Sequence, residues 1–300
     1  MHHFMRSALY GLSALFVTVL LCSCDNLLLL SPKGPIAHSE RFVLLTAVAL
    51  MLVVVIPVMI MVLWFPGKYR ATNPRATYMP GWSRSRRIEL VVWLVPAVII
   101  TLLSILVWRT TYSLDPHRPI DAGVAPVRID VVSLDWKWLF IYPDQKIATV
   151  NDLVFPAGVP LSFRLTSASV MTSFFIPQLG SQIYAMAGMQ TRLHLLADAP
   201  GTFRGQNQQF SGDGYADMHF KARAVSKTQF VDWVGQVRQS ADRLDSSRYA
   251  QLARPGADHR VIHFSAVKTG LFDDILRAFD HSAETTPQTD APISAGGKES

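Results

Sequence analysis

Cysteine is nearly absent from this chain of 300 residues: there are two, Cys22 and Cys24, both close to the N-terminus. A disulfide framework is therefore excluded downstream, and so is a thiolate metal site in the body of the chain. Acidic residues are missing from a second stretch. Between Pro66 and Arg87 lie Lys68, Arg70, Arg75, Arg84, Arg86 and Arg87 with no Asp or Glu, which accounts for the formal charge of +6. From Thr110 onward, 18 basic residues are balanced by 19 acidic ones. A positive excess confined to one short loop excludes the nucleic-acid reading and suits a membrane topology signal. The third absence is the most informative. Gly205 to Met218 is a polar, glycine-punctuated run between two strand-like segments, yet it holds neither Cys nor His.

What is present begins with residues 1–23, which read as a secretory leader: Arg6 supplies the positive end and Leu9 to Leu21 the apolar centre. The segment Leu21-Cys22-Ser23-Cys24 resembles a bacterial lipoprotein signal, in which the Cys after a small residue becomes the lipidated N-terminus. Cys24 follows Ser23 and fits; Cys22 follows Leu21 and fits poorly. Asp25 directly after Cys24 then points to retention in the inner membrane. The plain alternative is an uncleaved apolar anchor with incidental cysteines. Residues 24–41 are expected to be a periplasmic segment.

Phe42 to Phe65 carries no charge, and Ile88 to Trp108 carries only Glu89 near its start. Each reaches the ~20 residues that span a bilayer as a helix. A two-helix transmembrane hairpin over 42–109 follows, with helices at about 42–65 and 88–109 and the basic loop 66–87 in the cytoplasm. Both chain ends then face the periplasm. Trp64, Trp82, Trp93 and Trp108 suit interfacial belts, and Pro57 and Pro96 are expected kinks. Residues 110–123 form a polar linker. From 124 to 225 the pattern turns to period two, as in Val127, Ile129 and Val131, with Pro and Gly between short runs. That predicts an all-β sandwich. The segment Ser169 to Pro177 reads as a strand end entering a loop, and Ala216 to Ala224 as a strand. Over 226–280 the spacing becomes helical, with Phe230, Trp233, Val234 and Val237, then Leu271, Ile275, Leu276 and Phe279. The tail 281–300 is expected to be disordered. The fold class is thus an α+β membrane protein: a two-helix hairpin, a β-sandwich and C-terminal amphipathic helices.

These pieces resemble subunit II of the haem–copper respiratory oxidases, whose periplasmic domain is a cupredoxin-like sandwich. The residues that carry the resemblance are Glu89 to Pro96, Trp136-Lys137-Trp138, Ser173 to Pro177, and Gly205 to Met218. In the cytochrome c oxidase branch that last loop helps build a binuclear copper centre with bridging thiolates. Carried over position by position, the resemblance puts Thr172 at the first His ligand and Asn207 and Ser211 at the two Cys ligands. Gln209 falls at the Glu, Tyr215 at the second His, and Met218 at the Met. Only the Met is kept. Copper needs the soft sulfur and imidazole ligands that are missing, so the resemblance implies a vacated centre and no metal on this chain.

The longer run Phe174 to His194 is similar to subunit II of the quinol-oxidising, cytochrome bo-type branch of the family. That implies a subunit of a proton-pumping ubiquinol oxidase that reduces oxygen to water. The haems and copper would sit in subunit I, and ubiquinol would be met only through the complex. The implied partners are subunit I, further subunits and membrane lipid, without cytochrome c. Glu89 would mark the entry of a proton pathway; the simpler reading is an acid favoured by a helix N-terminus. Trp136, the family's electron-receiving position, would have no acceptor beneath it and reads, like Trp138, as a packing or interface aromatic. His194 and His219 lie in strand runs without a matching ligand set and read as structural. Tyr184 to Gln190 suits either a docking surface or ordinary loop packing. Two rival functions remain open at this point: a stand-alone periplasmic lipoprotein that binds a ligand, and a copper-containing electron-entry subunit.

Overall fold

A computed structural model describes residues 28–74, 76–77, 79–256 and 260–284. The proposed leader and Cys24 lie outside the described residues, as does the tail from 285. The described residues divide into two compact units, one running to 118 and including 177–180, the other running from 119 to 176 and onward from 181.

The first unit is built on two helices, α1 (Pro35–Lys68) and α2 (Arg86–Ser113). Pro35 opens α1, where a missing N–H costs nothing and its fixed φ is already helical. The most apolar stretches of the two helices have mean hydropathies of 3.0 and 2.8, with none of either stretch buried. Side chains such as Leu63 and Trp93, each 76% exposed, would be costly in water and are favourable in lipid. Both helices outrun the uncharged sequence. The apolar run fixes what crosses the bilayer, and helical hydrogen bonding carries on past it through Glu40 and Arg41. Hydroxyls within α2 are satisfied by the helix itself: Thr101 donates to the Ala97 carbonyl at 2.8 Å and Thr111 to Val107 at 2.8 Å.

The second unit is a sandwich of two sheets followed by a helical segment. Its strands are β1 (Val127–Leu134), β2 (Lys137–Tyr142), β3 (Ile147–Val150), β4 (Asp152–Pro156), β5 (Leu161–Ser167), β6 (Thr172–Ile176), β7 (Gly180–Ala185), β8 (Thr191–Leu195), β9 (Gly201–Asn207), β10 (His219–Val225) and β11 (Ile262–Phe264). One sheet runs β11-β3-β2-β1-β5-β8 and the other β4-β10-β9-β6-β7. The chain changes sheet at Asn151, whose φ of 57° is left-handed, a region Asn tolerates better than most residues. The Asn151 side-chain oxygen accepts from the Trp138 amide at 2.9 Å, and its own amide donates to the Trp138 carbonyl at 2.9 Å.

Two sequence readings change here. Ser169 to Pro177 is a loop that leads into β6, the reverse of a strand running into a loop. The strand expected from Ala216 starts at His219, because Tyr215–Asp217 close a single 3-10 turn. The expected alternation also vanishes in β2, β3 and β4, where every residue is buried. For β2 and β3 the cause lies far along the chain. Leu244, Phe264, Leu271, Phe272 and Ile275 pack on Val132, Leu139, Ile141, Ala148 and Val150 and cover the outer face of the first sheet. Helix α3 (Lys227–Val237) packs instead on β4 and on the ring of Tyr142, while α4 (Ser246–Leu252) and α5 (Leu271–Glu284) belong to this cover. A capping box of Ser226 and Gln229 starts α3, whose buried face is Phe230, Trp233, Val234 and Val237.

Between the sheets lies an aromatic bed. Trp138, Phe140, Phe163, Phe174 and Phe220 are fully or almost fully buried. Phe174 and Phe220 stack with centroids 5.1 Å apart, and Trp138 meets Phe174 edge-on at 5.3 Å. Gly205 on β9 makes room for Phe220, since a Cβ there would come within 2.0 Å of the ring.

Candidate functional site

The loop between β9 and β10 rests on the end of this bed, and one side chain ties it together. Asn207, the last residue of β9, is buried. Its side-chain oxygen accepts from the Ser173 amide at 2.8 Å and the Gln209 amide at 2.9 Å. Its side-chain nitrogen donates to the Gln209 carbonyl at 2.8 Å and the Ser211 hydroxyl at 3.1 Å, and faces the Met218 sulfur at 3.5 Å. The Asn207 amide donates to the Met218 carbonyl at 3.0 Å. One carboxamide thus joins both ends of the loop to the start of β6, using donor and acceptor capacity together.

Trp136 clamps the other side. It occupies the tight turn between β1 and β2 with φ 62°, an uncommon conformation for a bulky residue. Its indole N–H donates to the Ser211 carbonyl at 3.0 Å. The ring lies so close to Gly214 that a Cβ there would sit 2.4 Å from it. Gly214 is therefore required by close approach, and Gly212 by its φ of +97°.

The structure brings together Asn207, Gln209, Ser211 and Met218. Tyr215 is at the loop's edge, its ring 5.8 Å from the exposed Phe210 and its carbonyl accepting from the Met218 amide at 3.2 Å. Thr172 is buried at the start of β6, and its hydroxyl has no hydrogen-bond partner among the described residues. Glu89 is elsewhere, in the first turn of α2, ion-paired with Arg84 at 3.2 Å. The roles of Ser173 and Trp136 in holding the loop escaped the sequence reading. The Gly-Asp-Gly spacing beside an aromatic was the signal available for Trp136.

His194 is buried in β8 and His219 opens β10; among the described residues neither belongs to a group that could hold a metal. No group of three or more His, Cys, Asp or Glu side chains that could hold a metal occurs among the described residues. The loop's donor set is an amide, a hydroxyl, a thioether and backbone carbonyls. The amide N–H groups already point at the hydroxyl, a carbonyl and the thioether. That set does not fit a thiolate-bridged copper centre.

Two membrane-length helices followed by a two-sheet sandwich form the architecture that the sequence resemblance to the subunit II class of oxidases implies. The family model described as "Cytochrome C oxidase subunit II, periplasmic domain" matches residues 127–225, and one described as "COX Aromatic Rich Motif" matches residues 238–281. The chain is 51% identical over 266 residues to "Cytochrome bo(3) ubiquinol oxidase subunit 2" of Pseudomonas aeruginosa, covering 89% of this chain and 80% of that one. It is 50% identical to the protein of the same name from Pseudomonas putida, covering 88% and 84%. It is 45% identical to "Ubiquinol oxidase subunit 2" of Acetobacter aceti, covering 90% and 88%. The chain belongs to the cytochrome bo(3) ubiquinol oxidase subunit 2 family.

Proposed function

We propose that this chain is the copper-free second subunit of a proton-translocating terminal oxidase that oxidises ubiquinol and reduces oxygen to water. The Asn207 hub carries the reading. The positions that would hold thiolates are occupied by a carboxamide and a hydroxyl bonded to each other, so the loop is closed by hydrogen bonds where a metal would otherwise close it. Without a redox group here, electrons enter the complex by another route, and direct oxidation of ubiquinol supplies one. The names of the similar proteins support the same activity. Haems and copper then belong to subunit I. Lipid on Cys24 and the two-pass hairpin hold the chain in the inner membrane, with both ends in the periplasm.

This chain's own work is assembly and support of subunit I, with one contribution to proton movement. Glu89 is a carboxylate in the first turn of a membrane helix, with a mobile-length Arg84 partner within reach. An ionisable group at such a position suits a proton entry. Replacement by alanine is expected to slow proton uptake and turnover together; unchanged rates would remove Glu89 from the path.

The deciding experiment is a mild-detergent pull-down of the tagged chain, with a visible spectrum and metal analysis of the eluate. A haem-bearing complex with ubiquinol oxidase activity is expected. A colourless monomer would overturn the reading in favour of a stand-alone periplasmic ligand-binding lipoprotein. Near-infrared copper absorption on the isolated chain would favour an electron-entry subunit instead.

A further inference from the structure

The outer face of the second sheet carries a charge arrangement that the fold alone does not explain. Arg204 on β9 and Lys221 on β10 are cross-strand partners, and both are exposed. Like charges directly opposite each other destabilise a sheet. Neither side chain has an ion pair or a side-chain hydrogen bond among the described residues. Lys221 also pairs in register with Asp152 on β4, yet that carboxylate is engaged elsewhere. Arg223 grips it with Nε at 3.1 Å and Nη2 at 2.7 Å, and His263 lies 3.5 Å away. Asp232 on α3 lies at the edge of the face beside Arg223, where both line a shallow pocket. Among the described residues no carboxylate forms an ion pair with Arg204.

The neighbouring row runs His219, Gln206 and Phe175 across β10, β9 and β6. Phe175 is the one residue of β6 whose side chain is not buried. The face therefore combines an Arg–Lys pair without an ion-pair partner among the described residues, an amide and a partly buried aromatic ring. The rest of the chain does not impose this bias, since from Thr110 onward its acidic and basic residues nearly balance. Protein interfaces favour Arg and aromatic residues at their centres, and the guanidinium fork matches a carboxylate in two-point fashion.

We propose that this face, centred on Arg204 and Lys221, docks an acidic segment of a partner polypeptide within the oxidase complex. The inference rests on the functional reading above and adds a location and a chemistry to the partnership. Opposite charge from the partner removes the cross-strand repulsion, so the assembled state gains where the free chain is frustrated. Phe175 and Gln206 supply the adjoining apolar and hydrogen-bonding contacts.

Charge reversal gives the test, read as haem retained per tagged chain while salt is raised during pull-down in mild detergent. The double variant R204E/K221E keeps two like charges opposite each other and changes only the sign offered to the partner. It is expected to lower haem retention about tenfold, the scale of a few misplaced interfacial charges. The single variant R204E creates an attractive cross-strand pair with Lys221. It is expected to raise the melting temperature of the sandwich while still lowering haem retention severalfold. A merely structural role would move the two readouts together. In the wild-type complex, a zero-length amine-to-carboxyl cross-linker is expected to join Lys221 to a partner Asp or Glu. Unchanged retention in both variants would overturn the docking proposal and leave the subunit assignment standing. Loss of co-purified anionic phospholipid with haem retention intact would overturn it in favour of a lipid surface. A wild-type chain that brings down no haem partner would overturn the functional reading and this inference with it.

Discussion

The aromatic bed and the loop above it solve the same problem by opposite means. The bed holds Phe174 by stacking on Phe220 and by edge contacts with Trp138, with no polar partner needed. The loop from Asn207 to Met218 buries little of its own and is held by directional bonds that converge on one carboxamide. Burial of rings is non-directional and scales with area removed from water. A hub of hydrogen bonds contributes less energy per contact but specifies where each backbone group must lie. The contrast explains how a loop that buries little of itself keeps a defined shape. The bed below anchors the loop, and a polar cross-link fixes its course above.

Removing the bed should therefore cost more than removing the hub. Phe174→Ala deletes a buried ring at the junction of the two sheets and is expected to destabilise the sandwich by ~3–5 kcal/mol. A melting curve of the detergent-solubilised protein checks this. A change close to zero would mean that the sheets close over the gap and that the ring contacts carry little.

Asn207→Ala leaves the Ser173 and Gln209 amides without their acceptor and the Gln209 carbonyl without its donor. A loss of ~1–3 kcal/mol is expected for groups stranded in this way. The signature should be local, with cleavage of the 208–218 loop by added protease rising much more than global unfolding does. Gly214→Ala tests the other clamp. A Cβ 2.4 Å from the Trp136 ring must displace the indole, so a shift in tryptophan fluorescence should accompany a loss of ~1–3 kcal/mol, the usual range for overpacking. If Asn207→Ala destabilised the whole sandwich as much as Phe174→Ala, the division between bed and hub would fail.

The same division decides what could be read from the sequence. Long apolar runs announce membrane helices by composition, and alternating strands announce a sandwich by period. Helical spacing in Phe230, Trp233, Val234 and Val237 announces the face that α3 buries. These are local patterns, and the structure carries them. The burial of both faces of β2 was not legible, because its cover comes from Phe264, Leu271 and Phe272, more than a hundred residues away. The crossing at Asn151 and the left-handed turn at Trp136 were not legible either, since neither residue type demands such a φ. In the loop, the absence of Cys and His was visible at once. The bonds that hold the loop were not, because a hydrogen-bond hub depends on where Ser173 and Met218 are brought by different strands.

The smallest expected effect separates the hub from the surface carboxylates of the C-terminal segment. Asp245 caps α4 by accepting from the Arg248 amide at 2.7 Å, and that bond holds its carboxyl below the usual value of 3.8. Asp274 in α5 is also lowered, first by Lys268 and then by Arg277. A carboxyl depressed in the folded state contributes stability above its unfolded pKa and loses it as pH falls through the folded value. Acid below about pH 4 should thus loosen α4 and α5, and the effect should be modest because both groups are exposed and screened. The Asn207 carboxamide does not titrate in this range. Hydrogen exchange compared at about pH 6 and about pH 3, corrected for intrinsic rates, should show protection falling at the Arg248 amide and holding at the Ser173 and Gln209 amides. Loss at Ser173 and Gln209 first would mean that the loop depends on an ionised group that the Asn207 hub does not contain.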